Sequence, residues 1–192
     1  MVYEPKSYWD SRAEAWKGSG VPQEFDNLVE CLDPIITDKT KILDLGPGDG
    51  HILLKLEELY EGVRDRYTMC DVSTEMAAKC TKNTGIAPDI WDGKKLPYPN
   101  VSYDIVLLLS VLLHVTPDNI KDFLLECRRV TRKVIFISTW HNPDEARTAG
   151  AHCFQHNYKD IFLETGFKIA AEYKTMKRGS SYRRRNWLIE RA

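Results

Sequence analysis

Short apolar runs alternate along this chain with stretches whose apolar positions recur at helical spacing. Strands are predicted near 41–45, 67–71, 86–90, 103–109 and 133–139, with helices between them. One helix is predicted to begin near Asp49 and another near Thr74, where Ser73 or Thr74 can cap it. A third is predicted from Thr116 as cap, with Pro117 at the first helical position and Asp118 behind it. Asn157 caps a later helix closed by Gly166. The segments 167–173 and 186–190 read as a final pair of strands about a turn at Lys177-Arg178-Gly179-Ser180-Ser181. Strand alternating with helix points to a mostly parallel sheet, an α/β fold. Ahead of it, Trp9, Ala13 and Trp16 share one face of an N-terminal helix. The chain therefore reads as a single domain over 1–192, with a helical cap over 1–40 and a core over 41–192 that ends in the hairpin.

The first strand carries the strongest chemical signal. Lys41-Ile42-Leu43-Asp44-Leu45-Gly46-Pro47-Gly48-Asp49-Gly50 is a buried strand that ends beside an acid and turns on glycines into a helix. Glycines at 46 and 48, with Pro47 between them, let a ligand approach the main chain closely. α/β sheets bind ligands beyond the carboxyl ends of their strands, so this turn is a cofactor site. A dinucleotide fingerprint needs a third glycine where this chain has His51, and Gly50 arrives one residue early. A pyrophosphate also favours a helix N-terminus free of negative charge, whereas Asp44 and Asp49 flank this turn. Carboxylates here suit a ligand that carries an ammonium group.

Asp71 closes the second strand about 20 residues past the turn, where a carboxylate can accept both hydroxyls of a ribose. Val72 follows it, with Met76 one turn into the next helix. Ile90-Trp91-Asp92-Gly93 comes after the third strand, and the fourth emerges at Ser110.

In order and spacing these segments resemble the class I S-adenosylmethionine-dependent methyltransferases. Asp44, Gly46, Gly48 and Gly50 match that family's acidic-x-Gly-x-Gly-x-Gly motif, and the resemblance is good over residues 40 to 140. It implies a Rossmann-like three-layer sandwich with a seven-stranded, mostly parallel sheet, whose last strand runs antiparallel between its neighbours. It also implies S-adenosyl-L-methionine as cofactor. Asp71 would then hold the ribose, Val72 and Met76 would pack near the adenine, and Asp92 would accept from the adenine amino group. Trp91 is either a wall beside the base or plain core. The N-terminal helix either docks on the domain or also lids the cofactor through Trp16.

Bulk properties narrow the class. A chain of 192 residues suits one domain and is too short for a dinucleotide domain plus a substrate domain. Net charge is −1, so the molecule as a whole has no electrostatic reason to seek nucleic acid. No apolar run nears the ~18 residues of a membrane span. No secretory hydrophobic core opens the chain. The five cysteines form no C-x-x-C pair and read as reduced thiols of a cytoplasmic protein. No spacing demands a metal ion.

The methyl acceptor is less legible. Four of the five histidines lie on the substrate side implied by the resemblance, and His114 and His156 are the candidate bases. Lys174, Lys177, Arg178, Arg183, Arg184 and Arg185 crowd the last hairpin. They form either a solvated basic turn or a handle for an anionic small molecule. Three functions follow: methyl transfer to a hydroxyl or amine of a small molecule, methyl transfer to RNA or protein, and a non-catalytic S-adenosylmethionine-binding partner subunit.

Overall fold

The computed structural model describes residues 3–18, 22–140, 152–176 and 183–192. Two helices, α1 (Pro5–Asp10) and α2 (Pro22–Leu32), precede the first strand. Then follow β1 (Ile42–Leu45), α3 (His51–Glu57), β2 (Tyr67–Asp71), α4 (Thr74–Thr84), β3 (Asp89–Ile90) and β4 (Tyr103–Leu109). The chain continues through α5 (Ile120–Val130), β5 (Thr131–Trp140), α6 (Tyr158–Glu164), β6 (Phe167–Met176) and β7 (Arg183–Arg191). The sheet order is β3-β2-β1-β4-β5-β7-β6. β7 runs antiparallel to both β5 and β6, between them, and the other strand pairs are parallel.

Alternation along the central strands divides the core in two. Leu43, Leu45, Val106 and Leu108 point to the face covered by α5 and α6, where they meet Phe123, Leu124, Phe162 and Trp187. Ile42, Ile105 and Leu107 point to the other face, against Leu28 of α2 and Leu53 and Leu56 of α3. Period-two alternation with both sides apolar is what a buried parallel strand requires. Asp104, 4% exposed, pins the entry to β1, accepting from Lys41 N at 3.0 Å and Arg132 Nη1 at 2.9 Å.

The order of strands fixes where a ligand sits. After β1 the next strand in sequence lies on one side of it, and β4 lies on the other, so the crevice opens beyond the ends of β1 and β4. Asp44–Gly48 and Ser110 lie at those two ends.

Several local expectations change. β3 is two residues rather than five, because Ile86 is tied to Thr84 Oγ1 through both its N–H and its carbonyl, and pairing begins only at Asp89. The helix expected from Thr116 begins at Ile120. Thr116 instead opens a turn closed by Asn119 N to Thr116 O at 3.0 Å. Asn157 does hold the N-cap position of α6, but its amide donates to Asp160 and caps no helix N–H. The turn at 177–181 lies outside the described residues.

The N-terminal cap docks through polar groups as well as rings. Asp10 Oδ1 accepts from Ser73 Oγ at 2.6 Å and Glu75 N at 3.2 Å, at the start of α4, where a carboxylate also meets the helix dipole. Lys79 reaches back to the carbonyls of Ala13 and Trp16. Among the described residues, no helix is long and apolar enough to cross a membrane.

Candidate active site

A cavity of about 270 Å³ opens above the ends of β1, β2 and β4. Its floor is the glycine turn. Gly46 and Gly48 hold φ of 69° and 61°, a region that a side chain enters only with strain. A Cβ at Gly48 would stand 3.2 Å from Trp16 Nε1, and one at Gly46 would stand 3.0 Å from Val111 Cγ2. The missing side chains are thus what keep this floor low beneath the walls. Gly50 serves another purpose: a Cβ there would stand 2.3 Å from Thr84 Cγ2, so it sets the approach of α3 to α4.

Two carboxylates define the polar wall. Asp44 is 1% exposed, and its Oδ2 accepts from Tyr67 OH at 2.7 Å. Its Oδ1 is buried and has no hydrogen-bond partner among the described residues. Such an orphaned oxygen on a cavity wall fits a ligand ammonium, because leaving it unmet costs about 1–3 kcal/mol. Burial pushes the Asp44 carboxyl up to about 6, opposed by the Tyr67 hydroxyl. Asp71, also buried, accepts from Ser73 N at 2.9 Å. Burial raises it to about 6 as well, opposed by the main-chain N–H groups of Ser73 and Val72.

These shifts carry a signed pH prediction. Both carboxyls lie above the unfolded value of about 3.9. The folded state therefore binds protons more tightly between about 4 and 6. Their contribution to stability falls as pH rises through that window. A cationic, hydroxyl-bearing ligand needs them ionised, so its affinity runs the other way. We expect affinity to weaken as pH drops below about 6, by up to about tenfold per pH unit for each carboxylate, in titrations at pH 5, 6 and 7.5.

Of the other predicted cofactor residues, Trp16, Pro47, Val72, Met76, Trp91 and Ser110 all line the cavity. Trp91 lines the cavity while its ring packs 5.9 Å from Phe123 in the core. Ser110 has φ of 59°, the kind of local strain that collects at functional sites. Asp92 does not join this group. It is exposed, and its Oδ1 accepts from Lys94 N and Lys95 N at 2.9 and 3.2 Å, closing its own turn ahead of the φ of 78° at Gly93.

The two histidines separate. His114 lines the cavity from a short 3-10 turn, Leu112–His114. Its Nδ1 lies 2.9 Å from the His152 carbonyl, which can only accept, so Nδ1 carries the proton and Nε2 the lone pair. Burial lowers its pKa to about 4, so the ring is neutral at pH 7. His156 lies outside the cavity lining and is buried, with Nε2 donating to Val115 O at 2.9 Å. It bolts the chain before α6 to the turn after β4, which corrects its reading as a candidate base.

His114 also forms part of a ring cluster. Trp9 meets it edge-on at 4.8 Å, His152 stacks on it at 5.4 Å and 11°, and Tyr8 stacks on His152 at 4.4 Å. Donor atoms of His114, His152 and Cys153 lie within 4.8 Å of one another. Stacked, nearly parallel imidazoles direct their in-plane lone pairs along separate planes, an arrangement for packing rather than for sharing one ion. Tyr3, Trp9 and Trp16 all line the cavity, so the N-terminal segment is one of its walls as well as docked on α4.

The arginine suggested as an anionic handle is already matched. Arg184 Nη1 donates to Glu24 Oε2 at 2.8 Å and to Ser110 Oγ at 3.0 Å; Glu24 is buried and Arg184 nearly so. Arg185 pairs with Glu172 at 2.6 Å. Lys177 and Arg178 lie outside the described residues. Glu24, Phe25, Lys55 and Val111 line the cavity without having been singled out in the sequence. The apolar rhythm of α2 announces a packed helix but not that Glu24 turns inward.

Residues 42–134 match the model of a family described as a methyltransferase domain. Among solved structures, the chain is similar to magnesium protoporphyrin IX methyltransferase from Synechocystis PCC 6803 with bound S-adenosylhomocysteine. That match has a TM-score of 0.71 and 18% identity, over 97% of this chain and 98% of that one. A chain of the Haloferax volcanii complex containing the Trm112 methyltransferase activator matches with a TM-score of 0.75 and 14% identity, over 100% and 97%. The 1,6-didemethyltoxoflavin-N1-methyltransferase of Burkholderia thailandensis matches with a TM-score of 0.69 and 15% identity, over 97% and 84%. Sheet order, glycine turn and family match agree on an α/β methyltransferase fold. The chain therefore has the fold of an S-adenosylmethionine-dependent methyltransferase, and residues 42–134 are similar to a methyltransferase domain.

Proposed function

We propose that this enzyme methylates an amine or hydroxyl of a small organic molecule. The observation that carries the reading is one continuous cavity, which joins Asp44 and Asp71 to His114 under a wall of N-terminal aromatic rings. When bound, S-adenosylmethionine supplies a methyl group activated by its sulfonium. Asp44 Oδ1 would hold its ammonium, Asp71 its ribose hydroxyls, and Val72, Met76 and Trp91 its apolar surroundings. Alignment of the acceptor in a water-poor cavity then supplies much of the rate. With Nδ1 committed to the His152 carbonyl, the lone pair on Nε2 is what His114 has left for the acceptor's N–H or O–H.

Two observations support a small acceptor over RNA or protein. The N-terminal segment walls the cavity, and Arg184 and Arg185 are spent on Glu24 and Glu172 rather than displayed. Five free, buried cysteines suit a reducing cytoplasm.

Tritium-labelled S-adenosylmethionine, offered with small amines and phenols and separately with bulk RNA and protein, tests the reading. Label on the small molecules is expected, and label on a macromolecule alone would overturn it. His114→Ala is expected to lower kcat by roughly 10- to 100-fold, at or below the low end of the ~100- to 10,000-fold usual for general-base groups, because so weak a base contributes modestly. Donor affinity should stay unchanged; an equal loss there would assign His114 to the donor side.

A further inference from the structure

The cavity wall contains one carboxylate that the methyl donor does not account for. Glu24, on α2, is 6% exposed and lines the cavity. One oxygen, Oε2, accepts from Arg184 Nη1 at 2.8 Å. The other, Oε1, is buried with no hydrogen-bond partner among the described residues. Buried polar atoms in folded proteins nearly always find partners, and an exception on a cavity wall points to a ligand that supplies one.

Position says which ligand. Asp44, Asp71 and Trp91 stand at the carboxyl ends of β1, β2 and β3, one half of the sheet. Glu24 lies toward the opposite half, because Arg184 on β7 donates from the same Nη1 to Glu24 and to Ser110 Oγ at the end of β4. Asp44 and Asp71 are the acids assigned to the donor's ammonium and ribose hydroxyls, which leaves Glu24 for the molecule that receives the methyl group. Its oxygen can only accept. A carboxylate or phosphate brought to it would set lone pair against lone pair; an O–H or N–H group would complete it, and a protonated amine would add charge attraction that a hydroxyl lacks. Arg184 offsets the charge of Glu24 without occupying Oε1. Nearby walls are aromatic: Tyr3, Trp9 and Phe25 line the same cavity.

We propose that Glu24 is the acceptor-recognition residue, and that the methyl acceptor is an organic amine whose N–H hydrogen-bonds to Oε1. This rests on the functional reading above and names its substrate class. Glu24 selects for nitrogen-bearing molecules, and Arg184 fixes the carboxylate so that Oε1 faces the ligand.

Phenethylamine and phenylacetate share a ring and a two-carbon arm but carry opposite head groups. Their binding to protein saturated with S-adenosylhomocysteine is measured by calorimetry or saturation-transfer NMR. Wild type is expected to bind phenethylamine at least about tenfold more tightly than phenylacetate. In Glu24→Gln, Arg184 loses its counter-charge, so the preference is expected to vanish or reverse while S-adenosylhomocysteine affinity holds. Equal binding of the two probes by wild type, tighter phenylacetate, or no phenethylamine binding overturns the proposal. Failure of S-adenosylhomocysteine itself to bind would instead overturn the reading of the site as a methyltransferase centre. If Glu24→Gln does not fold, the wild-type preference decides alone.

Discussion

Asp71→Ala is expected to weaken S-adenosylmethionine binding by roughly 30- to 150-fold without unfolding the protein. The residue ends β2, is buried on the cavity wall, and has one oxygen held by Ser73 N at 2.9 Å. Hydrogen bonds from ligand hydroxyls to a buried carboxylate are worth about 2–3 kcal/mol, which converts to that range. Stability moves differently. Burial has pushed the Asp71 carboxyl up to about 6, so at pH 7 its ionised form is held at a cost. Removing it relieves that cost while stranding the Ser73 N–H, and the thermal midpoint should stay within a few degrees of wild type. Calorimetry with a melting curve on the same sample separates the two effects. A loss below threefold would take Asp71 out of the donor site.

Gly50→Val is expected to act on the fold. Gly50 caps α3 at φ 80°, and a Cβ there would lie 2.3 Å from Thr84 Cγ2 and 2.9 Å from Cys80 Sγ. Neither neighbour can swing aside: both are buried on α4, and Thr84 Oγ1 donates to Cys80 O at 2.9 Å. A β-branched residue at positive φ adds about 1–2 kcal/mol to an overpacking cost of about 1–3 kcal/mol. A total of roughly 3 kcal/mol corresponds to a drop of roughly 6–12 °C in the thermal midpoint for a chain of this size. Gly85→Ala is the control, since φ there is 76° but nothing lies within 4 Å of the added carbon. It should cost about 1 kcal/mol of backbone strain alone. Equal shifts in the two variants would refute close packing as the reason for Gly50.

Which features could be read from sequence follows from the range of the interaction involved. The floor of the site was legible because the turn after β1 writes its requirements into neighbouring residues: an acid, then glycines where a side chain would strike a wall. Near-continuous apolar runs in Ile42–Leu45 and Tyr103–Leu109 likewise mark strands buried on both faces. Asp92 is hard to place from sequence for a local reason, since an acid before glycine serves its own turn as readily as a ligand. Thr116 and Pro117 looked like a helix start, yet the chain spends a turn there first, and Thr116 and Asn119 line the cavity.

The acceptor side was opaque because its contacts are distant in sequence. A cluster of arginines in the last hairpin looked available, but Arg184 finds its counter-ion 160 positions away, on α2. No window of sequence pairs those residues, and none shows that Oε1 of Glu24 is left over. Sequence offers both His156 and His114 as candidate bases, with His114 favoured only by its spacing from Ser110. Only the fold gives one to Val115 and the other to the cavity.

Calorimetric titration of the protein with S-adenosylmethionine, S-adenosylhomocysteine and NADH tests the central claim most directly. Saturable binding of the first two, with no heat from NADH, is the predicted result. Binding of NADH alone would mean that Asp44 and the glycine turn serve a dinucleotide, contradicting the account of the site built on them.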